Sequence, residues 1–130
     1  PPPGPVVPAV SERTTGLASP WGMAFLPDGR MVVTEKGGSM KLLSASGQVL
    51  GDIAGMPDVV TDGQGGLMDV ALSPNYVNDK FAYITFSERD PNNSLRNGTA
   101  VARGILDADA RTFTQLAVIY RQQPKVISTA

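Results

Sequence analysis

The stretch Asp62-Gly63-Gln64-Gly65-Gly66-Leu67-Met68-Asp69 holds the residues best suited to chemistry in this chain. Glycines on both sides of one uncharged amide let the backbone approach a ligand closely or take positive φ angles, and the amide itself donates and accepts hydrogen bonds. Gln64 is therefore suited to a carbonyl or carboxylate on a flat, polar cofactor. A tight loop in which Gln64 satisfies only neighbouring backbone groups accounts for the same residues. A phosphate cradle does not, because the lysine followed by serine or threonine is missing.

Other positions carry weaker signals. Trp21, the only tryptophan, suits stacking on a planar ligand, although packing in the core or between sheets is the commoner role of such a residue. Glu35-Lys36 closes an apolar run and reads either as a pair facing a central channel or as a solvated surface pair. Asp69 fits a supporting part, capping the glycine segment or holding an arginine. Arg121 reads as an anion-binding fork or, more simply, as a salt bridge between neighbouring sheets. Asp107 and Asp109 lack the regular oxygen-ligand spacing and terminal glutamate of a calcium loop, so no metal ligand is assigned. Asn92-Asn93-Ser94 and Asn97-Gly98-Thr99 match the glycosylation acceptor pattern, a frequent chance occurrence.

Composition narrows the chemistry further. The 130 residues contain neither histidine nor cysteine. Thiolate catalysis, disulfides and cysteine metal sites are excluded from these residues, and a proton acceptor titrating near neutrality must come from elsewhere. Eleven lysines and arginines balance 12 aspartates and glutamates without a basic patch, which gives no support to a nucleic-acid partner. No apolar run approaches the roughly 20 residues of a membrane-spanning helix. The chain begins with proline, and a Pro-rich start behind a removed leader suits an exported protein, periplasmic or extracellular. A cut elsewhere in a longer chain would look the same.

The elements that must position these residues are short strands. Fourteen glycines and 11 prolines punctuate the chain, except that Pro1, Pro2, Pro3, Pro5 and Pro8 crowd its beginning. Residues 1–16 accordingly read as an extended Pro-rich tether and lead-in. From residue 17 onward two segments repeat. Gly22-Met23-Ala24-Phe25-Leu26-Pro27-Asp28-Gly29-Arg30 before Met31-Val32-Val33-Thr34 corresponds to Asp69-Val70-Ala71-Leu72-Ser73-Pro74-Asn75 before Phe81-Ala82-Tyr83-Ile84-Thr85-Phe86. Pro27 and Pro74 stand 47 residues apart, a spacing in the range of β-propeller blades.

The first unit predicts strands over Met23 to Leu26, Arg30 to Glu35, Met40 to Leu43 and, more weakly, Val49 to Ile53. The second predicts Leu67 to Leu72, Phe81 to Phe86, Thr99 to Ile105 and Leu116 to Arg121, with a polar excursion from Ser87 to Asn97. Glycine, proline and β-branching argue against helix throughout. The fold class is therefore all-β, about two blades of a propeller over residues 17–130. A β-sandwich is the alternative, and internal repetition at one blade length favours the propeller.

Four blocks in order resemble the soluble quinoprotein aldose dehydrogenases, the glucose/sorbosone dehydrogenase family. They are Leu17 to Arg30 with Thr34 to Gly38, Gly63 to Pro74, Thr99 to Gly104, and Val118 to Lys125. The resemblance implies the N-terminal blades of a six-bladed β-propeller, incomplete within these residues. It further implies pyrroloquinoline quinone (PQQ) over the central channel, calcium (Ca2+) bridging cofactor and protein, and oxidation of the aldose anomeric hydroxyl to a lactone. Hydride passes to the quinone, a histidine takes the hydroxyl proton, and an external acceptor reoxidises the cofactor. Gln64 matches the family glutamine that contacts the quinone. The histidine base falls just after Ala130 in the family pattern, and the calcium ligands fall later still. By the same resemblance these residues alone are inactive, and the remaining blades lie in the same or another chain. The rival reading is a non-catalytic propeller that binds sugar or protein, since one fold serves many functions.

Overall fold

The computed structural model describes residue 17 and residues 19–61, 66–90, 93–122 and 126–127. Nine strands and one helical turn are found among them: β1 (Pro20–Phe25), β2 (Met31–Glu35), β3 (Met40–Leu43), β4 (Val49–Asp52), β5 (Leu67–Leu72), α1 (Tyr76–Asp79), β6 (Phe81–Asp90), β7 (Asn93–Asp107), β8 (Thr112–Arg121) and β9 (Val126–Ile127). They form two antiparallel meanders, β1-β2-β3-β4 and β5-β6-β7-β8, with β9 added to β7. The Pro-rich start lies outside the described residues.

Tight turns join the strands of the first meander. In the first, Gly29 N donates to Leu26 O at 3.0 Å and Leu26 N to Arg30 O at 2.8 Å. In the third, Gly47 N returns to Ser44 O at 2.9 Å. Such turns leave no room for helical crossovers, so each sheet is a simple up-and-down ribbon.

The two sheets pack face to face through one apolar core. Val32, Met40 and Leu42 of the first sheet join Leu67, Val70, Ile84, Phe86, Ala100, Ala102 and Phe113 of the second, with Leu26 and Ile53 closing the ends. β1 and β5 lie side by side where the sheets meet. Ala100 and Ala102 on β7 are fully buried, and Gly104 on the same strand leaves room for the Phe113 ring, which a Cβ there would meet at 2.7 Å. Two meanders stacked in this way, with equivalent strands adjacent, are successive blades of a propeller, as the 47-residue repeat predicts.

The repeat reaches below the level of strands. β1 carries an extra residue between Pro20 and Met23, and β5 carries one between Leu67 and Val70. Each bulge turns a backbone N–H out of the ladder, and a threonine on the next strand accepts it. Gly22 N donates to Thr34 Oγ1 at 2.9 Å and Asp69 N to Thr85 Oγ1 at 3.0 Å. The sheet thus re-aims its inner strand without leaving that donor unpaired.

Three predicted features are corrected. The polar excursion from Ser87 to Asn97 is largely strand: β6 and β7 continue as a hairpin with Ser87 opposite Thr99, Glu88 opposite Gly98 and Arg89 opposite Asn97. A two-stranded ribbon satisfies its own backbone, so it needs no apolar alternation for the sequence to display. Tyr76–Asp79 forms a helical turn where none was expected. Asp79 holds it, accepting from Ser73 Oγ at 2.8 Å and from Phe81 N at 2.9 Å, and Lys80 ends it at φ 58°. β8 begins at Thr112 instead of Leu116, because a bulge opposite Gly104, with Gln115 at φ 55°, interrupts its alternation without ending its pairing.

Candidate functional site

At one end of the inner strands, four segments meet: the end of β2, the stretch from Ile53 to Thr61, the start of β5 and the middle of β6. Gln64 itself lies with residues 62–65 outside the described residues. What brackets it is well defined. Val60 N donates to Ser87 O at 2.9 Å and Ser87 N donates to Gly66 O at 2.9 Å. Leu67 N donates to Lys36 O at 3.2 Å, and Lys36 Nζ donates to Thr61 O at 3.0 Å. The two ends of the Gln64 segment are thereby held against β2 of one blade and β6 of the other.

Gly66 is a local requirement of this arrangement. It sits at φ +123°, and a Cβ there would run into the Lys36 carbonyl oxygen. Glycine is the residue that meets both conditions without strain.

Glu35 and Lys36 are not the solvated surface pair that one reading of the sequence offered. Glu35 is 4% exposed and has Lys41 Nζ at 3.8 Å, while Lys36 turns the other way towards Thr61. Alternation along β2 is the reason, since consecutive side chains point to opposite faces of the sheet. Lys41 also pairs with Asp52, and that hydrogen bond chiefly holds its ammonium above the usual lysine range.

Asp69 folds back on its own strand, with Oδ1 accepting from Val70 N at 2.8 Å, and no arginine meets it among the described residues. Its neighbour across the sheet junction is Gly22, where a Cβ would lie 2.6 Å from Asp69 Oδ1. The close approach of β1 to β5 depends on that missing side chain. Asp69 is exposed and its carboxylate serves its own strand, while the glycine segment it was expected to cap lies outside the described residues.

Arg121 makes a bidentate pair with Glu88, Nε to Oε1 at 2.5 Å and Nη2 to Oε2 at 2.9 Å. This hydrogen bonding raises the proton affinity of the guanidinium. The bridge stays within one sheet, instead of linking two as expected. It crosses β7 next to Gly98, the partner of Glu88 in the ladder, which offers no side chain to separate β6 from β8.

Trp21 is not in the core: it is 59% exposed, beside Met23 and Phe25 on the sheet face turned away from the second blade. With Leu17, Met31, Val33 and Leu43 these residues line an open groove of about 780 Å³. Asn97 pairs within the β6-β7-β9 ladder. At the far end of the sheets a second cavity, about 480 Å³, lies between Leu26, Tyr76 and Leu106. Arg30 ties its two rims together, bonding Asp28 at 2.7 Å and Asp109 at 3.0 Å. Asp107 accepts from Ala110 N at 3.0 Å, so both acidic residues serve turns. Among the described residues no group of three or more His, Cys, Asp or Glu is placed to hold a metal. No helix among them is long and apolar enough to cross a membrane.

The threonine at each bulge and the lysine bracket were not found from sequence. Thr34 and Thr85 do precede Glu35 and Phe86 at corresponding points of the two units, and that correspondence was the available signal. The lysine bracket depends on contacts across 25 residues or more and leaves no local trace.

Residues 17–130 match the model of the family described as glucose / sorbosone dehydrogenase. The chain is 36% identical over 111 residues to the aldose sugar dehydrogenase YliI of Escherichia coli (strain K12), covering 85% of this chain and 29% of that protein. Among solved structures, a glucose dehydrogenase superposes with a TM-score of 0.85 at 37% identity, covering 92% of this chain and 37% of the other. The PQQ-bound aldose sugar dehydrogenase of Streptomyces coelicolor gives a TM-score of 0.74 at 27% identity, covering 88% and 34%. The chain thus spans about a third of the length of these relatives. With the repeated blades, the ordered sequence blocks and a family match that begins where the Pro-rich stretch ends, the chain belongs to the glucose/sorbosone dehydrogenase family.

Proposed function

We propose that this chain supplies the first two blades of a six-bladed quinoprotein that oxidises the anomeric hydroxyl of aldose sugars to lactones, with Gln64 contacting pyrroloquinoline quinone. The observation that carries the proposal is the family match over residues 17–130, which includes the glycine-flanked Gln64. Its relatives are named as aldose sugar and glucose dehydrogenases, and one was solved with PQQ bound.

The residues present suit one wall of such a site. The residues that flank the Gln64 segment, Val60, Gly66 and Leu67, are fixed by main-chain bonds to two blades. When bound, the quinone supplies the two-electron acceptor, a task for which no protein side chain is equipped. Gln64 would orient it through a hydrogen bond, and the glycines on either side would let the backbone come close. The chain has no histidine, so the base that takes the sugar proton belongs to other residues of the protein, as do the calcium ligands. The 130 residues alone are accordingly inactive, the Pro-rich residues 1–16 act as a tether, and the protein is exported. Its partners are an aldose and an external electron acceptor.

Titrating the full-length protein with PQQ in the presence of calcium tests the assignment of Gln64. Saturable binding is expected, weakened at least tenfold by Gln64→Ala, the loss of one hydrogen bond to a charged ligand group. Equal affinity of the two proteins would remove Gln64 from the site.

A further inference from the structure

The bulge threonines of the two blades are alike as acceptors and differ as donors. Thr34 Oγ1 accepts from Gly22 N at 2.9 Å and donates at 2.5 Å to Met68 O, the carbonyl within the bulge of β5 in the following blade. Thr85 Oγ1 accepts from Asp69 N at 3.0 Å in the same way, but among the described residues its hydrogen has no acceptor. The sheet faces that carry the two hydroxyls differ to match. Thr34 and its ladder partner Met40 are fully buried, because the second blade covers them. Thr85 and its ladder partner Val101 are only half-buried, and Tyr120, next in the same row, is 58% exposed. Alternation along β6 fixes which face this is: Ala82, Ile84 and Phe86 turn to the first blade, so Tyr83 and Thr85 turn away from it.

We infer that this face of the second blade receives a third blade of the same protein, and that the Thr85 hydroxyl donates to the bulge carbonyl of that blade's inner strand. The first junction shows what covers such a face: a four-stranded sheet whose inner strand brings a bulge carbonyl to the threonine. Stacked repeats present equivalent surfaces to successive neighbours, so the surface around Thr85 is built for the same occupant. Once covered by a sheet, a hydroxyl hydrogen without an acceptor is costly, and the contact therefore favours a strand that places a carbonyl there. Asp69 stands where the first blade has Gly22, and its carboxylate bends back to Val70 N on the Gly22 side. That the third sheet belongs to the same protein rests on the propeller reading above, and the relatives, of which this chain spans 29% to 37%, leave length for it.

The test uses the full-length protein and needs neither cofactor nor sugar. Thr85→Cys is labelled with a small thiol reagent under native conditions beside two controls, Thr34→Cys at a buried position and Val77→Cys at one that is 65% exposed. Peptide mass spectrometry follows each site. Labelling of Thr85→Cys should be at least a hundredfold slower than that of Val77→Cys and close to that of Thr34→Cys. A rate equal to that of Val77→Cys would overturn the inference. The hydrogen bond is tested separately by Thr85→Val and Thr85→Ser. Thr85→Val should lower the urea midpoint about as much as Thr34→Val does, and Thr85→Ser should restore most of it. A Thr85→Val protein as stable as wild type would remove the hook even if the face is covered. Should the cysteine variant not fold, amide exchange of wild type decides: the Asp69 amide should be protected as well as that of Gly22, and fast exchange at Asp69 alone would overturn the contact. Failure to bind PQQ would remove the quinone reading and leave these results standing. An accessible Thr85 site in a protein that does bind PQQ would remove the third-blade contact alone.

Discussion

The hydroxyl of Thr34 donates to the carbonyl oxygen of Met68 at 2.5 Å while accepting from Gly22 N at 2.9 Å. One buried side chain thus joins the inner strands of two successive blades. Thr34 has no exposed surface, so neither backbone group finds water if the hydroxyl is removed. Thr34→Val, nearly the same shape without the donor and acceptor, should cost on the order of 2 kcal/mol. Thr34→Ser should retain most of the stability. Urea denaturation of the three proteins checks this, and a loss under half a kcal/mol in Thr34→Val would show that the hook contributes little.

Gly66 tests the junction from the other side. Gly66→Ala places a Cβ against the Lys36 carbonyl at a backbone angle that alanine resists, so a loss on the order of 2 kcal/mol is expected. PQQ affinity should fall in parallel, because the downstream end of the Gln64 segment must shift. The melting temperature and a PQQ titration of the same variant measure both effects.

Tyr76 provides a pH signature. Its buried hydroxyl donates to Leu106 O at 2.6 Å, and burial, followed by the nearby Asp107 carboxylate, raises its pKa above the ordinary tyrosine value of 10.0. In the unfolded chain the phenol ionises first. The stabilisation is therefore complete below pH 10.0 and is lost as pH rises through the higher folded value. Tyr76→Phe should be less stable by about 1 kcal/mol near neutrality and should show a flatter decline in alkali. Denaturation midpoints between pH 8 and 11 give the comparison.

The groove beneath Trp21 predicts a packing partner in the assembled ring. In the isolated chain Trp21 is 59% exposed, alongside Met23 and Phe25, and should emit as a solvated indole. Closure of six blades brings another sheet against this face, which should shift the emission to shorter wavelength. The difference spectrum between the full-length protein and its Trp21→Phe variant isolates that residue. A solvated emission in that difference would contradict ring closure over β1.

Much of the architecture was legible because it is written locally. Pro27-Asp28-Gly29 announces a turn, Met31 to Thr34 a β-branched strand, and the recurrence of the proline 47 residues later, with a strand after it, a repeated blade. Polar strands were harder: Ser87 to Asp90 pair through their backbones, which leaves no apolar period to read. Tyr76–Asp79 turns helical through Asp79 and its bonds to Ser73 and Phe81, in a segment too short for propensity to decide. At the site, Gln64 stood out through its glycines. The residues that fix its surroundings did not, because the bond of Lys36 to Thr61 and that of Ser87 to Gly66 join points distant in sequence. Glu35 looked solvated for a related reason, since burial on both faces of β2 depends on what packs against the sheet.

The central claim is tested most directly by mixing the full-length protein with PQQ, calcium, a panel of aldoses and an artificial electron acceptor, and following acceptor reduction. The account predicts aldose-dependent reduction that needs PQQ, yields the corresponding lactone and is absent from the isolated 130 residues. Bound PQQ with no acceptor reduction across the panel would contradict it, as would turnover by the isolated chain.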